Sequence, residues 1–306
     1  MKKRIVFWGT PEHAAKVVNS LSQAAPLEVV SVMTMPDKPV GRKQIITPSP
    51  VKIWALENKI PVFTPENLKD PEFLAVLKSF DADFFVVVAY GKIMPLEVLD
   101  IPKYGAFNLH FSLLPKYRGA SPLQAALLQG DEISGITIFR LTAGMDIGPM
   151  VFQKSCSLEE KTFSLALSAM TEMGNLSFLE FLLSPEKFPE IPQNEEAATY
   201  CHKIAKEDGE IFPERDSADL VMQKYRAFEG WPGVFYISKD GKRLKFTALE
   251  SAFFEENPVS PGEFFIQDKR CFLALAKGTV EVISLIPEGK NEIKGDQMLS
   301  FLRKKE

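Results

Sequence analysis

Residues 4–34 read RIVFWGTPEHAAKVVNSLSQAAPLEVVSVMT, and this stretch indicates the fold class of the chain most clearly. Its β-branched and aromatic start, Arg4–Gly9, predicts a strand, and its end, Leu27–Thr34, predicts a second one. The residues between them predict a helix over 11–23 with Thr10 as its N-cap. A strand, a helix and a second strand in this order are typical of a parallel βαβ unit with a right-handed crossover.

The same alternation of strands and helices continues as far as residue 183. An apolar run without alternation, Phe84–Ala89, predicts a strand that is covered on both faces. The Pro-, Gly- and Lys-rich segment 35–50 predicts no regular structure. We therefore predict an α/β fold with a doubly wound, mostly parallel sheet of the Rossmann-like kind. The other predicted strands lie at 61–63, 104–110, 135–141 and 150–155, and the other helices at 50–58, 71–80, 122–129 and 162–183.

The composition changes after this alternating part. Residues 184–206 combine prolines and glutamates with little periodicity, which predicts a linker. Short predicted strands about ten residues apart follow, and this spacing is typical of a small β-barrel, here expected to be OB-like. We therefore predict a catalytic domain at 1–184, a linker at 185–207 and a C-terminal β-barrel domain at 208–306.

The composition excludes several classes of protein. Of the 306 residues, 45% are hydrophobic and 25% are charged, which is an ordinary globular balance. The basic amino terminus has an apolar run that ends at Gly9, so we expect no signal peptide, and no apolar run approaches the roughly 20 residues of a membrane span. Three widely spaced cysteines fit neither a disulfide framework nor a metal site. We therefore expect a cytoplasmic protein, and a monomer because no long exposed apolar stripe is evident.

The charge gives no general attraction for a polyanion. The net charge is −4, with 21 Lys and Arg against 23 Asp and Glu up to Glu207 and 15 against 17 after it. Nucleic-acid binding would therefore depend on local basic patches.

Two polar residues mark the end of the predicted strand 104–110. Asn108 and His110 are two positions apart, so their side chains project from one face of the strand. An amide and an imidazole can together stabilise an oxyanion, and the imidazole can also move a proton. The carboxyl ends of parallel strands are also where doubly wound sheets bind their ligands. The alternative interpretation of His110 is a core histidine paired with a carbonyl group.

The segment after this strand favours a binding role. Ser112 follows His110 too closely for a Ser-His-Asp hydrolase, and the chain has no GxSxG motif at this position. We predict instead that Ser112, Leu113, Leu114 and Pro115 form the lip of a pocket for a flat heteroaromatic ligand. The first turn of the sheet, Gly9-Thr10-Pro11, matches neither a dinucleotide-binding motif nor a P-loop.

A carboxylate in a glycine-rich loop completes the set of candidate catalytic residues. Asp146 lies between Gly144 and Gly148, so the backbone can bend closely around it. Its carboxylate can orient His110, stabilise the imidazolium cation or relay a proton, and a turn-capping role is the alternative. The three histidines are scattered and lack metal-binding spacing, so we predict no metal site.

Together these residues resemble the formyl-folate-dependent transferases, and in particular the methionyl-tRNA formyltransferase family. The resemblance extends along essentially the whole chain. It rests on Asn108-Leu109-His110, on Ser-Leu-Leu-Pro at 112–115 and on Gly-Met-Asp-Ile-Gly at 144–148. The Pro-Asp-Lys-Pro-Val-Gly-Arg loop at 36–42 favours the methionyl-tRNA formyltransferase family over the other formyl-folate-dependent transferases.

The resemblance implies a function and a role for each motif. It implies transfer of a formyl group from 10-formyltetrahydrofolate to the α-amine of methionine on initiator methionyl-tRNA, in translation initiation. The implied catalytic residues are Asn108, His110 and Asp146, and the implied folate-binding residues are Ser112, Leu113, Leu114 and Pro115. The candidate tRNA-binding residues are Lys38, Arg42 and Lys43 in the loop at 36–47, and Lys242, Arg243 and Lys245 in the predicted β-barrel.

Some features depart from the family pattern, and other functions stay open. Phe111 stands where many members carry glycine, and the C-terminal domain, expected to be basic in relatives, has a net charge of −2. The nearest alternative is a sugar-nucleotide N-formyltransferase that acts on a UDP- or dTDP-linked amino sugar, but the loop that carries Arg42 argues against it. A non-catalytic nucleic-acid-binding protein is disfavoured by the complete set of Asn108, His110 and Asp146. For the basic residues, a solvated charged surface is the alternative.

Overall fold

The structure is a computed structural model that describes residues 2–41 and 43–303, with the backbone alone at residues 40, 299, 302 and 303. Contacts within the chain divide it into two compact units. Residues 185–201, predicted as part of the linker, belong to the first of them. The first unit comprises Met1–Pro122, Ile133–Ser157 and Ala166–Cys201, and the second comprises Leu123–Glu132, Leu158–Leu165 and His202–Glu306.

The strands and helices predicted up to residue 183 are present, most with boundaries moved by one or two residues, and the described residues up to 201 contain five further short strands and α-helices that were not predicted. The strands are β1 (Lys3–Gly9), β2 (Leu27–Met33), β3 (Lys38–Val40), β4 (Ile45–Thr47), β5 (Val62–Phe63), β6 (Phe84–Val88), β7 (Ala106–His110), β8 (Arg118–Gly119), β9 (Ile133–Arg140), β10 (Met150–Ser157) and β11 (Tyr200–Cys201). The helices are α1 (Glu12–Ser22), α2 (Pro50–Glu57), α3 (Pro71–Ser79), α4 (Leu96–Leu99), α5 (Pro122–Gln129) and α6 (Phe163–Leu183).

Seven of the described strands form the sheet of the first unit, in the order β10-β9-β7-β6-β1-β2-β5. Neighbouring strands from β7 to β5 run parallel, whereas β9 and β10 are antiparallel to their neighbours. The prediction of a doubly wound, mostly parallel sheet is therefore confirmed. Because the strand order reverses between β1 and β6, the ligand-binding edge lies at the carboxyl ends of these central strands.

The central strands are buried because their sequences are apolar on both faces. All five residues of β6 are buried, as its unbroken apolar run predicts. Trp8 of β1 packs against Phe73, Phe85 and Tyr90, with ring centroids between 5.1 and 6.3 Å apart. Each fully buried aromatic side chain of this kind stabilises the fold by roughly 1.5–3 kcal/mol.

The start of α1 differs from the prediction. The helix begins at Glu12 with Pro11 in the N-cap position, and no side chain caps it. The hydroxyl of Thr10 donates instead to the carbonyl oxygen of Tyr90 at 2.8 Å. The predicted Thr10 N-cap is therefore wrong, because this hydroxyl connects the chain after β1 to the chain after β6.

Segment 35–50 contains regular structure that the sequence did not predict. Strands β3 and β4 form a short antiparallel hairpin in which Lys38 pairs with Thr47. The ammonium of Lys52 donates to the carboxylate of Asp37 at 2.7 Å, and both side chains are largely buried. This ion pair fixes the base of the hairpin to the first turn of α2.

The second unit is built on an antiparallel sheet, which confirms the predicted C-terminal β domain. Its strands are β12 (Val234–Ile237), β13 (Arg243–Ala252), β14 (Phe264–Gln267), β15 (Arg270–Ala274), β16 (Thr279–Pro287) and β17 (Ile293–Lys294), and its helices include α7 (Ala218–Ala227) and α8 (Asp296–Arg303). The order of the described strands is β12-β13-β16-β15-β14, and β17 pairs with β16. Val221 of α7 packs in the core with Leu244, Phe246 and Val282 of the sheet.

Candidate active site

Strand β7 presents its polar residues on one face and its apolar residues on the other. Phe107 packs against Phe181 of α6 at a centroid distance of 4.6 Å, and Leu109 lies against Gly174 of the same helix. Asn108 and His110 therefore project from the opposite face, as the i, i+2 spacing predicts. Since β7 ends at His110, both side chains lie at the ligand-binding edge of the sheet.

His110 is buried, with 4% of its surface exposed, and its two ring nitrogens have different partners. Nε2 lies 2.9 Å from the carbonyl oxygen of Tyr117, which can only accept a hydrogen bond, so Nε2 carries the proton. Nδ1 faces Oδ2 of Asp146 at 3.7 Å. Burial lowers the pKa of His110, and the Asp146 carboxylate and the Tyr117 carbonyl oppose this shift.

The imidazole is therefore neutral near pH 7, with Nδ1 available to accept a proton. The contact between Nε2 and a carbonyl fits the alternative interpretation of a core histidine. The second nitrogen does not fit it, because Nδ1 faces a carboxylate at the ligand-binding edge.

Asp146 is held in an unusual backbone conformation. Its φ angle is 57°, in the left-handed region. A Cβ atom on Gly148 would lie 1.8 Å from the carbonyl oxygen of Arg140, so only glycine allows the loop to pass this close to β9. Oδ2 of Asp146 accepts a hydrogen bond from the backbone N–H of Gly119 at 2.8 Å. The loop thus places the carboxylate between His110 and the N–H of Gly119, which is distant in sequence but not in space. The carboxylate is used for this contact rather than to cap the turn of its own loop.

Ser112 has a structural role in the loop that follows β7. Its fully buried hydroxyl donates to the carbonyl oxygen of Lys116 at 2.6 Å. The hydroxyl of Thr137 donates to the carbonyl of Ser112 at 2.7 Å and accepts from the N–H of Leu114 at 3.1 Å. Leu114 is buried, whereas Leu113 is partly exposed. These bonds fix the shape of residues 112–115 next to His110, and their contact with folate stays a prediction.

A buried cation stabilises the end of this loop, and the sequence did not indicate it. Arg118 is fully buried, and its guanidinium donates to both carboxylate oxygens of Glu195 at 2.7 and 2.8 Å. Nε and Nη2 of Arg118 also donate to Oε1 of Gln193, at 3.0 and 2.9 Å. The hydrogen bonds that Arg118 donates to Glu195 raise the pKa of Arg118. Gln193 and Glu195 lie in the polar segment that was predicted to be a linker, which has no periodic pattern to reveal their contacts.

The candidate tRNA-binding residues of the first unit lie on the β3–β4 hairpin. Lys38 and Lys43 are exposed, and Arg42 lies outside the described residues. Ile45 and Ile46 are also exposed, by 61% and 70%. The described residues of the hairpin therefore present two cations and two apolar side chains to the solvent.

The candidate tRNA-binding residues of the second unit lie at the start of β13. Arg243 and Lys245 alternate with Leu244 and Phe246, which are buried in the core, so both basic side chains project outwards. The guanidinium of Arg243 lies over the ring of Phe235 at 4.1 Å. The ammonium of Lys242 pairs with Asp240 at 3.4 Å. A nucleic-acid role for these side chains stays a prediction.

The residues that the structure describes form neither a metal-binding cluster nor a membrane-spanning helix. In this part of the chain no three His, Cys, Asp or Glu side chains are grouped to hold a metal ion. Among the same residues, no helix combines the length and the apolar character needed to cross a bilayer.

The fold is of the α/β class and brings an amide, an imidazole and a carboxylate to the ligand-binding edge of its sheet, a set of groups that suits an acyl-transfer enzyme. Residues 2–173 match the family model "Formyl transferase", and residues 203–303 match "Formyl transferase, C-terminal domain". The chain is 39% identical to the methionyl-tRNA formyltransferase of Campylobacter jejuni subsp. doylei, over 99% of this chain and 98% of that protein. The chain therefore belongs to the formyl transferase family, among the methionyl-tRNA formyltransferases.

Solved structures support the fold. One is the sugar 3N-formyl transferase WlaRD, with a TM-score of 0.66 and 17% identity over 95% of this chain and 99% of that one. Another is HypX from Aquifex aeolicus in complex with tetrahydrofolic acid, with a TM-score of 0.63 and 19% identity over 99% of this chain and 48% of that one. At these identities the likeness concerns the fold alone.

Proposed function

We propose that this enzyme transfers the formyl group of 10-formyltetrahydrofolate to the α-amine of methionine on initiator methionyl-tRNA, in the cytoplasm, for translation initiation. The observation that carries the proposal is the site at the end of β7. There Asn108 and His110 share a face, and Nδ1 of His110 lies 3.7 Å from the carboxylate of Asp146. The 39% identity to a methionyl-tRNA formyltransferase over nearly the whole chain supports the acceptor.

The chemistry of the three side chains accounts for each step of the transfer. The amine attacks the formyl carbon, and the carbonyl oxygen becomes negative and accepts a hydrogen bond from the amide of Asn108. Nδ1 of His110 takes the proton that the amine loses and then donates a hydrogen bond to the same oxygen. When the bond from the formyl carbon to N10 of the folate breaks, this proton moves to N10.

Asp146 makes the imidazole an effective proton carrier. During the transfer His110 becomes a cation in a buried site, which is costly without a compensating charge. The Asp146 carboxylate supplies that charge at Nδ1, while Nε2 keeps its proton and its bond to Tyr117. His110 thus returns to its neutral state after each turnover.

The flanking segments supply the binding surfaces. Ser112, Leu113, Leu114 and Pro115 lie just after the catalytic strand, where Thr137 is hydrogen-bonded to Ser112 and Leu114, and we assign contacts with the flat pterin ring to these four residues. We assign contacts with the acceptor end of the tRNA to the β3–β4 hairpin through Lys38 and Lys43, with Arg42 between them in sequence. Lys242, Arg243 and Lys245 are assigned to phosphate groups further along the tRNA.

A competition between acceptors tests the proposal. The enzyme is incubated with 10-formyltetrahydrofolate and either initiator methionyl-tRNA or a dTDP- or UDP-linked amino sugar. We expect formylation of the tRNA alone, and a sugar product would establish the alternative function.

Asn108→Ala and His110→Ala should each lower kcat by about 10²–10³-fold with little change in the KM for folate. His202→Ala is the control, since the side chain of His202 is 72% exposed.

A further inference from the structure

The chain from Ile191 to Cys201, called here the return segment, lies next to two loops of the catalytic site. One is the loop of residues 112–117 after β7, and the other is the loop that contains Asp146. At its start, Ile191 exchanges two backbone hydrogen bonds of 2.8 Å with Met150, just after the Asp146 loop. At its end, β11 pairs in parallel with β8, just after the loop of residues 112–117. The residues between these two anchor points therefore lie beside both catalytic loops.

The side-chain amide of Gln193 is hydrogen-bonded to the Asp146 loop and to Arg118, which directly follows the loop of residues 112–117. Its Nε2 donates to the carbonyl oxygens of Asp146 and Gly148, at 2.8 Å in both cases. Its Oε1 accepts two hydrogen bonds from Arg118, at 3.0 and 2.9 Å. An amide has two N–H donors and an oxygen with two lone pairs, so all four positions are occupied. Gln193 is buried, with 9% of its surface exposed.

These contacts fix both ends of the hydrogen bond that orients the catalytic carboxylate. That bond runs from the N–H of Gly119 to Oδ2 of Asp146. On the acceptor side, Gln193 holds the carbonyl of Asp146, a residue in the left-handed conformation. On the donor side, it holds Arg118, the residue that precedes Gly119. A shift of either loop would therefore lengthen the Gly119–Asp146 bond and turn the carboxylate away from His110.

We propose that Gln193 is a positioning residue for formyl transfer, which holds the Asp146 carboxylate opposite Nδ1 of His110. The catalytic part of this proposal rests on the proposed function. Glu195 has a different role, since its exposed carboxylate accepts hydrogen bonds from the buried Arg118 and neutralises it. The next carboxylate of the return segment, Glu196, is exposed, so a substitution there tests the segment without touching Gln193 or Glu195.

The first test is Gln193→Met, which keeps an unbranched side chain but removes all four hydrogen bonds. A misplacement of about 1 Å in a catalytic group costs about 10²-fold in rate, so we expect a loss of that size in kcat with little change in the KM for 10-formyltetrahydrofolate. Glu196→Gln is the matched control. It changes an exposed carboxylate of the same segment, leaves the four Gln193 contacts and the Arg118–Glu195 pair intact, and should retain most of kcat.

The second measurement is independent of activity. The imidazole of His110 is titrated by NMR in the wild-type protein and in Gln193→Met, with its signals assigned from His110→Ala. The groups that face this ring are the Asp146 carboxylate, the Tyr117 carbonyl and, through that carbonyl, the thiol of Cys201 at 3.5 Å. Because the carboxylate raises the pKa of His110 and burial lowers it, His110 of Gln193→Met should titrate at lower pH.

Gln193→Glu covers the case in which Gln193→Met does not fold. Its carboxylate still accepts from Arg118 but cannot donate to the two carbonyl groups, so kcat should again fall by about 10²-fold. Wild-type kcat in either folded variant, an unchanged His110 titration in Gln193→Met, or an equal loss in Glu196→Gln would overturn the proposal. If the wild-type enzyme does not formylate methionyl-tRNA, the proposed function fails, and the His110 titration still decides whether Gln193 positions Asp146.

Discussion

Asp146→Asn removes the charge of the catalytic carboxylate with little change in its shape. The amide oxygen of asparagine can still accept the hydrogen bond from the N–H of Gly119, now 2.8 Å long. The substitution removes the negative charge that lies 3.7 Å from Nδ1 of His110. In the proposed mechanism this nitrogen becomes part of a cation when it takes the proton from the attacking amine.

The distance sets the magnitude of the effect. At 3.7 Å, opposite unit charges attract by about 4 kcal/mol if the effective dielectric constant is about 20. Since about 1.4 kcal/mol corresponds to a tenfold change in rate, complete loss of this attraction would lower kcat by about 10³-fold. The Asp146→Asn side chain keeps a dipole near the imidazolium, so we expect a fall of about 10²–10³-fold. The KM for folate should change little, because the resting imidazole is neutral.

The assay separates charge from structure. We expect the loss in steady-state formylation of methionyl-tRNA at saturating 10-formyltetrahydrofolate, and we expect His110 to titrate at lower pH by NMR, since Asp146 raises its pKa. Asp208→Asn is the matched control, because Asp208 lies 3.3 Å from the exposed His202 and should not affect kcat. Near-wild-type kcat in Asp146→Asn, or an unchanged titration of His110, would refute the electrostatic role of Asp146.

Three further predictions concern pH, backbone geometry and tRNA. Burial lowers the pKa of His13 to about 4, so the unfolded chain takes up this proton at a higher pH than the folded protein does. The free energy of unfolding should therefore fall by up to about 3 kcal/mol between pH 6.5 and 4. Urea unfolding of His13→Phe should lack this contribution to the pH dependence. Gly119→Ala places a Cβ 2.2 Å from a carbonyl oxygen of β11 at a φ of 124°, and should lower kcat and Tm more than Gly289→Ala, where φ is 71° and the space is open. Lys43→Gln should weaken binding of initiator tRNA and reduce the slope of log K against log salt by about one, whereas Lys59→Gln, which changes another exposed lysine, should not.

The parts of the fold that the sequence predicts are those with a local apolar pattern. The strands β1 and β2 and the helix between them follow from the periodicity of residues 4–34, and β6 follows from its unbroken apolar run. The shared face of Asn108 and His110 follows from strand geometry alone. In each case the side chains that decide the structure are close neighbours in sequence.

The parts that the sequence does not predict depend on distant partners. The hydroxyl of Thr10 could either cap α1 or donate a hydrogen bond to the carbonyl oxygen of Tyr90. Tyr90 comes within hydrogen-bond distance only because β1 pairs with β6. The return segment is polar and irregular, which is typical of a linker. Its order comes from backbone pairing with Met150 and β8 and from hydrogen bonds to Arg118, none of which leaves a periodic pattern.

The neutral side chain at position 193 also matters for the electrostatics of the site. Arg118 is a buried cation one residue from the N–H that holds Asp146, and a guanidinium is the strongest partner that a carboxylate can find in a protein. A direct ion pair between Arg118 and Asp146 would move the carboxylate away from His110, and its charge would then be neutralised by Arg118. Glu195 occupies one side of the guanidinium and the Gln193 oxygen accepts from the other, so the donors of Arg118 are engaged. The Asp146 charge is thereby left to act on the imidazole, where the proton is carried.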